Sequence, residues 1–335
     1  MKIITVIGTR PQYVKLKPWY DFLKEQDCTH VVIDTNQHFT NNVSSVFVNE
    51  FELAIDFNLS VENVDSTDFI VKSMQSIRPF LLSESPDVVV VMGDTNTTLA
   101  SALAAHKLEF KVAHIEAGMR CWSRDRPEEI NRIVTDNLSD IHFTSRRQDN
   151  VNVENPVYSG DLEYVLLRKM EEEGYVPELT YGDFILMTIH RNENTTVNRI
   201  CEIFNNCRKS GHNFVFPIHH RTKQIVDKEG ISVPRNIKLI DPVGYLEITK
   251  LLATCKGIFS DSGGLAKVAP FFGKKCLIPS SYTEYDDLPS LGYIKLGLDM
   301  EWLNNAEIIR DKSIYYLDNA CEIMYNSIKN MERAR

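Results

Sequence analysis

Three carboxylates stand where the chain could do proton chemistry. Asp94 and Glu116 each follow an apolar run, and Glu128 lies in Pro127-Glu128-Glu129 at a candidate helix start. A carboxylate beside a buried strand can take or give a proton, because burial disfavours its charge. Glu116 directly follows the apolar run 111–115, where an unpaired carboxylate would cost free energy. Plainer roles exist. Asp94 could cap the helix after it, and on spacing alone Glu128 fits a first helical turn near the positive end of the dipole.

Cations and small residues form a second set. Gly8-Thr9-Arg10-Pro11 opens a helix carrying Lys15. Arg10, Lys15 and free backbone amides could hold a phosphate, or could be a turn with solvated charges. Ser262-Gly263-Gly264 precedes the helix-like stretch 265–272. Glycine lets a phosphate approach a helix N-terminus, though a structural cap reads the same. His190 and His219 follow apolar runs and could be ligand contacts or hydrogen-bonded structural residues. With no HxH or HExxH spacing and no nearby cysteine, no metal site is expected.

Elements must deliver these residues to common edges. Short β-branched or apolar runs predict strands over 3–7, 30–34, 88–92, 111–115, 184–189, 213–218, 237–239, 257–259 and 275–278. The unbroken run Val88-Val89-Val90-Val91-Met92 suits a strand buried on both faces of a parallel sheet. Helices are expected over 99–106 and 198–209, giving the alternation of βαβ units. Nearly every strand is followed at once by a polar cluster: Gly93-Asp94-Thr95, Glu116-Ala117-Gly118, His190-Arg191, His219-His220-Arg221 or Ser260-Asp261-Ser262. Open parallel sheets bind ligands outside the carboxyl ends of their strands. Two such sheets, each loaded at that edge, suggest an α/β protein of two domains with one site shared across a cleft.

The polar stretch 171–183, with Gly174 and Pro177, separates the two alternations and predicts domains at 1–170 and 171–315. Residues 311–335 look helical. The length of 335 residues also exceeds one ordinary α/β core. A net charge of -9 argues against a nucleic-acid partner, although a phosphate pocket needs only a few cations. No apolar run approaches a membrane span, and the first residues read as a strand, not a signal peptide. Seven cysteines without a CxxC pair fit a reduced, cytoplasmic chain.

In the order of its motifs the chain resembles the non-hydrolysing UDP-N-acetylglucosamine 2-epimerases. The resemblance runs nearly end to end, through Gly8-Thr9-Arg10-Pro11 with Lys15, Gly93-Asp94-Thr95 with Thr97, and His114-Ile115-Glu116-Ala117-Gly118-Met119-Arg120. It continues through Pro127-Glu128-Glu129 with Asn131-Arg132, His190-Arg191-Asn192-Glu193-Asn194, Pro217-Ile218-His219, Asp261-Ser262-Gly263-Gly264 and Thr283-Glu284. It implies a GT-B-like architecture of two Rossmann-like domains facing across a cleft, a C-terminal helix of about 316–335 returning to the first domain, a homodimer, a UDP-sugar substrate and no cofactor. It also implies C2 epimerisation by elimination of UDP to a 2-acetamidoglucal and re-addition. Asp94, Glu116 and Glu128 would be the acid/base carboxylates, and His219 would lie near the leaving group. Arg10, Lys15, Arg132, His190, Ser262, Gly263, Gly264 and Glu284 would contact diphosphate or sugar.

The chain departs from that family at three places. Lys267 and Val268 stand where two carboxylates usually follow Ser-Gly-Gly-x-x, and Tyr285 replaces an arginine, with Asp286 and Asp287 after it. Lys267 and Tyr285 resemble the subgroup acting on UDP-2,3-diacetamido-2,3-dideoxyglucuronate; Val268 fits neither pattern. A glutamate at 268 is expected to tighten UDP binding through the ribose hydroxyls. Competing activities are a hydrolysing 2-epimerase, a GT-B glycosyltransferase and a non-catalytic nucleotide-sugar binder.

Overall fold

A computed structural model describes residues 1–37, 41–62, 65–175, 181–304 and 308–333. The chain divides into two compact units, Met1–Glu173 with Tyr315–Arg335, and Gly174–Ile314.

The first unit holds a parallel sheet of β1 (Lys2–Ile7), β2 (Thr29–Asp34), β3 (Phe57–Asn58), β4 (Val88–Met92), β5 (Lys111–Ile115), β6 (Ile141–Thr144) and β7 (Pro156–Tyr158). Their order is β3-β2-β1-β4-β5-β6-β7. The chain runs outward from β1 to one side, then returns to β4 and runs to the other. The carboxyl ends of β1 and β4 therefore flank a topological switch point, where open sheets leave room for a ligand. Every residue of β4 is buried, because helices cover both faces. One of them, Asn96–Lys107, buries only Ala, Thr and Ser, small residues that let it lie close to the sheet. The C-terminal helix Ala320–Arg333 belongs to this unit, with Tyr325 edge-on to Phe22 of the first helix, Arg10–Lys24.

The second unit repeats the plan. Its strands are β8 (Ile185–Thr188), β9 (Phe214–Pro217), β10 (Ile237–Ile240), β11 (Gly257–Ser260), β12 (Cys276–Ile278) and β13 (Ile294–Leu296). They pair in parallel in the order β10-β9-β8-β11-β12-β13. Ile185, Met187, Phe214, Phe216 and Phe259 fill one core beneath the helix Val197–Lys209. The switch point lies between β8 and β11. Both sheets are thus Rossmann-like. The nine strands expected from the sequence form with small shifts; Phe184 and Ile189, for example, fall outside β8. Among the described residues of the stretch 311–335, Ala320–Arg333 forms the α-helix, and 311–319 do not.

Candidate active site

In the first unit the carboxyl ends of β4 and β5 carry the charged residues. The Lys15 ammonium, on the helix after β1, makes a short ion pair with the Glu116 carboxylate directly after β5. Both side chains are largely buried. The backbone of Glu116 is left-handed at φ 68°, which costs a non-glycine residue on the order of 1–2 kcal/mol. Strain of this kind persists only where surrounding bonds fix it. Gly93 also has φ 68° and faces the pair, since a Cβ there would stand 3.3 Å from Glu116 Oε2 and 3.5 Å from Lys15 Nζ. The backbone angle therefore favours glycine, and a Cβ would also crowd the Glu116 carboxylate by a few tenths of an ångström.

Asp94 follows this glycine. Its carboxylate accepts from Arg132 Nη2 at 2.5 Å, and Arg132 also bonds Glu129 at 3.2 Å. The residue that caps the helix Asn96–Lys107 is Thr95, so Asp94 does not play the capping role. The turn itself is pinned by side chains from four other elements. The Met92 carbonyl accepts from Gln12 at 2.8 Å and from Thr98 at 2.7 Å. The Gly93 carbonyl faces His114 Nε2 at 2.7 Å, and the Asp94 carbonyl accepts from Asn131 at 2.9 Å.

The two glutamates of Pro127-Glu128-Glu129 have different roles. Glu129 is buried and accepts the backbone N–H groups of Cys121 and Trp122 at 2.9 and 3.0 Å. Burial alone would raise its pKa, but those bonds and Arg132 hold it below the usual carboxylate value. Glu128 is exposed in the first turn of the helix Pro127–Leu138 and has no hydrogen-bond or ion-pair partner among the described residues. Arg10 is a half-buried cation, likewise without an ion-pair partner among the described residues, and burial lowers its pKa.

In the second unit one buried carboxylate organises the edge. Asp261, directly after β11, accepts the backbone N–H groups of His190 at 3.0 Å and Arg191 at 2.9 Å. It also accepts from Asn194 at 3.0 Å and lies 3.0 Å from His190 Nδ1. Burial opposes its charge, yet these hydrogen bonds outweigh burial and keep its pKa below the ordinary carboxylate range. The loop after β8 is thereby tied to the loop after β11. Arg191 reaches across to Tyr282 and to Glu284 Oε1, the latter at 3.1 Å.

Ser262 caps the helix Gly263–Phe272 by accepting from Leu265 N at 3.5 Å. Gly263 and Gly264 open that helix. A Cβ on either would meet nothing nearer than 3.7 Å, so internal packing does not demand glycine here. His219 caps the helix His220–Lys228, its ring accepting from Arg221 N at 3.3 Å. The rings of His190 and His219 lie 6.4 Å apart.

The structure thus joins Lys15 with Glu116, Asp94 with Arg132, His190 with Asp261, and Arg191 with Glu284. Sequence reasoning placed His114, Glu129, Arg191 and Asp261 in its motifs but gave them no supporting role. A signal for Glu129 existed in its i,i+3 spacing to Arg132, which puts both on one helical face. Lys267 and Val268 are 2% and 1% exposed, on a helix buried from Leu265 to Phe272. A glutamate at 268 would therefore enter the core, so it would test packing as much as ribose binding. Among the described residues no cluster of three or more His, Cys, Asp or Glu could hold a metal ion.

Comparison with known proteins gives one family. The family described as UDP-N-acetylglucosamine 2-epimerase matches residues 21–287. A UDP-N-acetylglucosamine 2-epimerase homolog of Methanococcus maripaludis is 36% identical over 85% of each chain. The UDP-2,3-diacetamido-2,3-dideoxy-D-glucuronate 2-epimerase of Pseudomonas aeruginosa is 35% identical over 87% of each. Among solved structures, the UDP-GlcNAc 2-epimerase of Methanocaldococcus jannaschii, crystallised with UDP-GlcNAc and UDP, superposes with a TM-score of 0.89. That match has 30% identity and covers 98% of this chain and all of the other.

Proposed function

This chain belongs to the UDP-N-acetylglucosamine 2-epimerase family, and we propose that it inverts C2 of a UDP-linked N-acetyl amino sugar without hydrolysing it. The supporting observation is the Lys15–Glu116 pair beside the Asp94–Arg132 pair, at the carboxyl ends of neighbouring strands β4 and β5. Each carboxylate keeps a cation at hydrogen-bond distance, and Glu128 adds a third carboxylate with no partner among the described residues. Inversion needs a proton removed from one face of C2 and returned on the other, hence more than one acid/base group.

In this reading a carboxylate takes the C2 proton. The C–H electron pair becomes the C1–C2 double bond of a 2-acetamidoglucal. The C1–O bond breaks and its pair leaves with the UDP oxygen. Re-addition reverses each movement, with a second carboxyl group delivering the proton to the opposite face. Asp94, Glu116 and Glu128 share these acid/base roles. Arg10, Lys15 and Arg132 offset charge that develops on the diphosphate. The amides of Ser262–Gly264 at a helix N-terminus, with His190 and Glu284, are assigned to the nucleotide part, and His219 to the leaving oxygen. A soluble cytoplasmic homodimer belongs to the same proposal; no described helix is long and apolar enough to cross a membrane.

The test is incubation with UDP-GlcNAc in deuterated water. Deuterium should enter C2 of both epimers while the sugar stays attached to UDP. Free N-acetylmannosamine and UDP as the products would assign the hydrolysing alternative. Epimerisation without label would exclude proton exchange at C2. Lys267 and Tyr285 favour a second substrate, the diacetamido-glucuronate analogue. Parallel turnover with both sugars decides between them.

A further inference from the structure

His114 and His142 are register partners on adjacent strands β5 and β6, and both contact the same residue, Asp136. Their rings meet different partners. His142 Nε2 lies 2.7 Å from the Asp136 carbonyl, while its buried Nδ1 has no hydrogen-bond partner among the described residues. That ring is satisfied as the neutral Nε2–H tautomer. His114 is wholly buried and has an acceptor at each nitrogen. Nε2 lies 2.7 Å from the Gly93 carbonyl, and Nδ1 lies 2.7 Å from Asp136 Oδ1.

A carbonyl oxygen only accepts, so Nε2 must carry a proton. The Asp136 carboxylate also accepts from Arg120 at 2.7 Å and from the Gly118 N–H at 3.3 Å. Burial pushes its pKa up, but the bonds from His114 and Arg120 push it further down, so it too is an acceptor. Nδ1 must then carry a proton as well. Rotating the ring by half a turn would set two C–H groups at those same short distances, so the two nitrogen positions are not interchangeable. The groups facing the ring are Asp136 and, behind it, Arg120, from the helix Pro127–Leu138 and the loop after β5; the Gly93 turn after β4; and His142 from β6.

Gly93 is the residue that makes room for the Lys15–Glu116 pair, and Asp94 follows it. Glu116 lies two residues beyond His114 on the same strand end. We propose that His114 is held as a buried imidazolium and is the positioning residue that sets the Gly93 turn, and through it Glu116, Lys15 and Asp94. It touches no substrate. The effect on turnover rests on the epimerase reading above; the ring's protonation does not.

The test has two arms. Histidine ¹⁵N NMR of the wild-type protein at pH 7.5, assigned with His114 variants, should show both His114 nitrogens protonated. His142 supplies the internal control as a neutral Nε2–H ring. A neutral His114 would overturn the first half of the proposal whatever the enzyme's activity. The second arm compares His114→Gln, whose amide can reach the Gly93 carbonyl as Nε2 does, with His114→Asn, which can reach only Asp136. One charged hydrogen bond corresponds to roughly tenfold to a hundredfold in rate. His114→Asn should lose about a hundredfold in kcat and His114→Gln about tenfold, with UDP affinity within about threefold. Equal kcat in wild type and folded His114→Gln, or no rescue of Gln over Asn, would refute a positioning role. Should the Asn variant not fold, the Gln variant and the wild-type spectrum still decide. If the wild type itself lacks C2 exchange, it is the functional reading that fails.

Discussion

The two sheet edges share a topology and differ in how their polar groups are satisfied. In the first unit, side chains answer side chains: Lys15 meets Glu116, Arg132 meets Asp94, and three successive carbonyls of the β4 turn are pinned from other elements. In the second unit, one carboxylate, Asp261, gathers backbone amides and a histidine, while the helix Gly263–Phe272 opens on two glycines. Paired, strained charges suit a site where protons move. Backbone amides at a helix start suit holding a diphosphate in place. The same sheet plan can thus serve either purpose, according to what occupies its carboxyl ends.

The largest effect should come from breaking the first edge. Glu116→Gln keeps the shape and hydrogen-bonding reach of the side chain but removes its proton chemistry and the charge opposite Lys15. Turnover should fall by about 10²–10⁴, the usual range for an acid/base group. Asp94→Asn and Glu128→Gln should fall in the same range. Urea unfolding separates the residues: Glu128 has no partner among the described residues, so its variant should unfold with wild-type stability. A fully active variant removes its residue from the mechanism.

Acid should tell the two units apart next. Burial lowers the pKa of His30, in the first unit, to about 4. The unfolded chain has the ordinary value near 6.5 and so binds more protons between those limits. Stability therefore falls as the pH drops from about 6.5 to about 4, by at most roughly 3 kcal/mol. Asp261, in the second unit, has the opposite sign of group and a lower window. Its contribution is complete above the unfolded value of 3.8 and is lost only as the pH falls below it. Between pH 6.5 and 4 the first unit should lose stability before the second, as amide hydrogen exchange would show. His30→Gln should flatten that part of the profile, and an unchanged slope would count against His30 as its source.

How much of this was legible in the sequence depends on the element. Strands buried on both faces announce themselves as unbroken apolar runs, as β4 does. The four that were missed, β3, β6, β7 and β13, have two to four residues and lie at or beside sheet edges. There Pro156 or Lys295 can sit in the strand, because an edge makes fewer demands on its residues. Residues at strand ends were legible because the polar clusters interrupt apolar runs. Their partners were not. Nothing in the spacing joins Lys15 to Glu116 or Asp261 to His190, since such pairs are made only when the sheet brings distant loops together. Burial of Lys267 and Val268 was hidden for a related reason. A helix covered on every side has no apolar stripe to show which face a residue takes.

The smallest effect on the fold, and the sharpest test of the second edge, is Gly264→Ala. Gly264 is helical, and a Cβ there would approach only Ser262 Oγ, at 3.9 Å. The protein's own packing does not oppose the methyl group. Alanine also loses less backbone entropy on folding than glycine, by about 0.5–1 kcal/mol within a helix. The variant should therefore be as stable as the wild type or slightly more so in urea unfolding. If Ser262–Gly264 cradle the diphosphate, that same methyl group stands where phosphate oxygens approach the amides, and UDP affinity should fall about tenfold or more by calorimetric titration. Stability and affinity then move in opposite directions, which a purely structural glycine cannot produce. A variant that loses both would make Gly264 a packing residue. One that keeps its UDP affinity would move the diphosphate away from this helix.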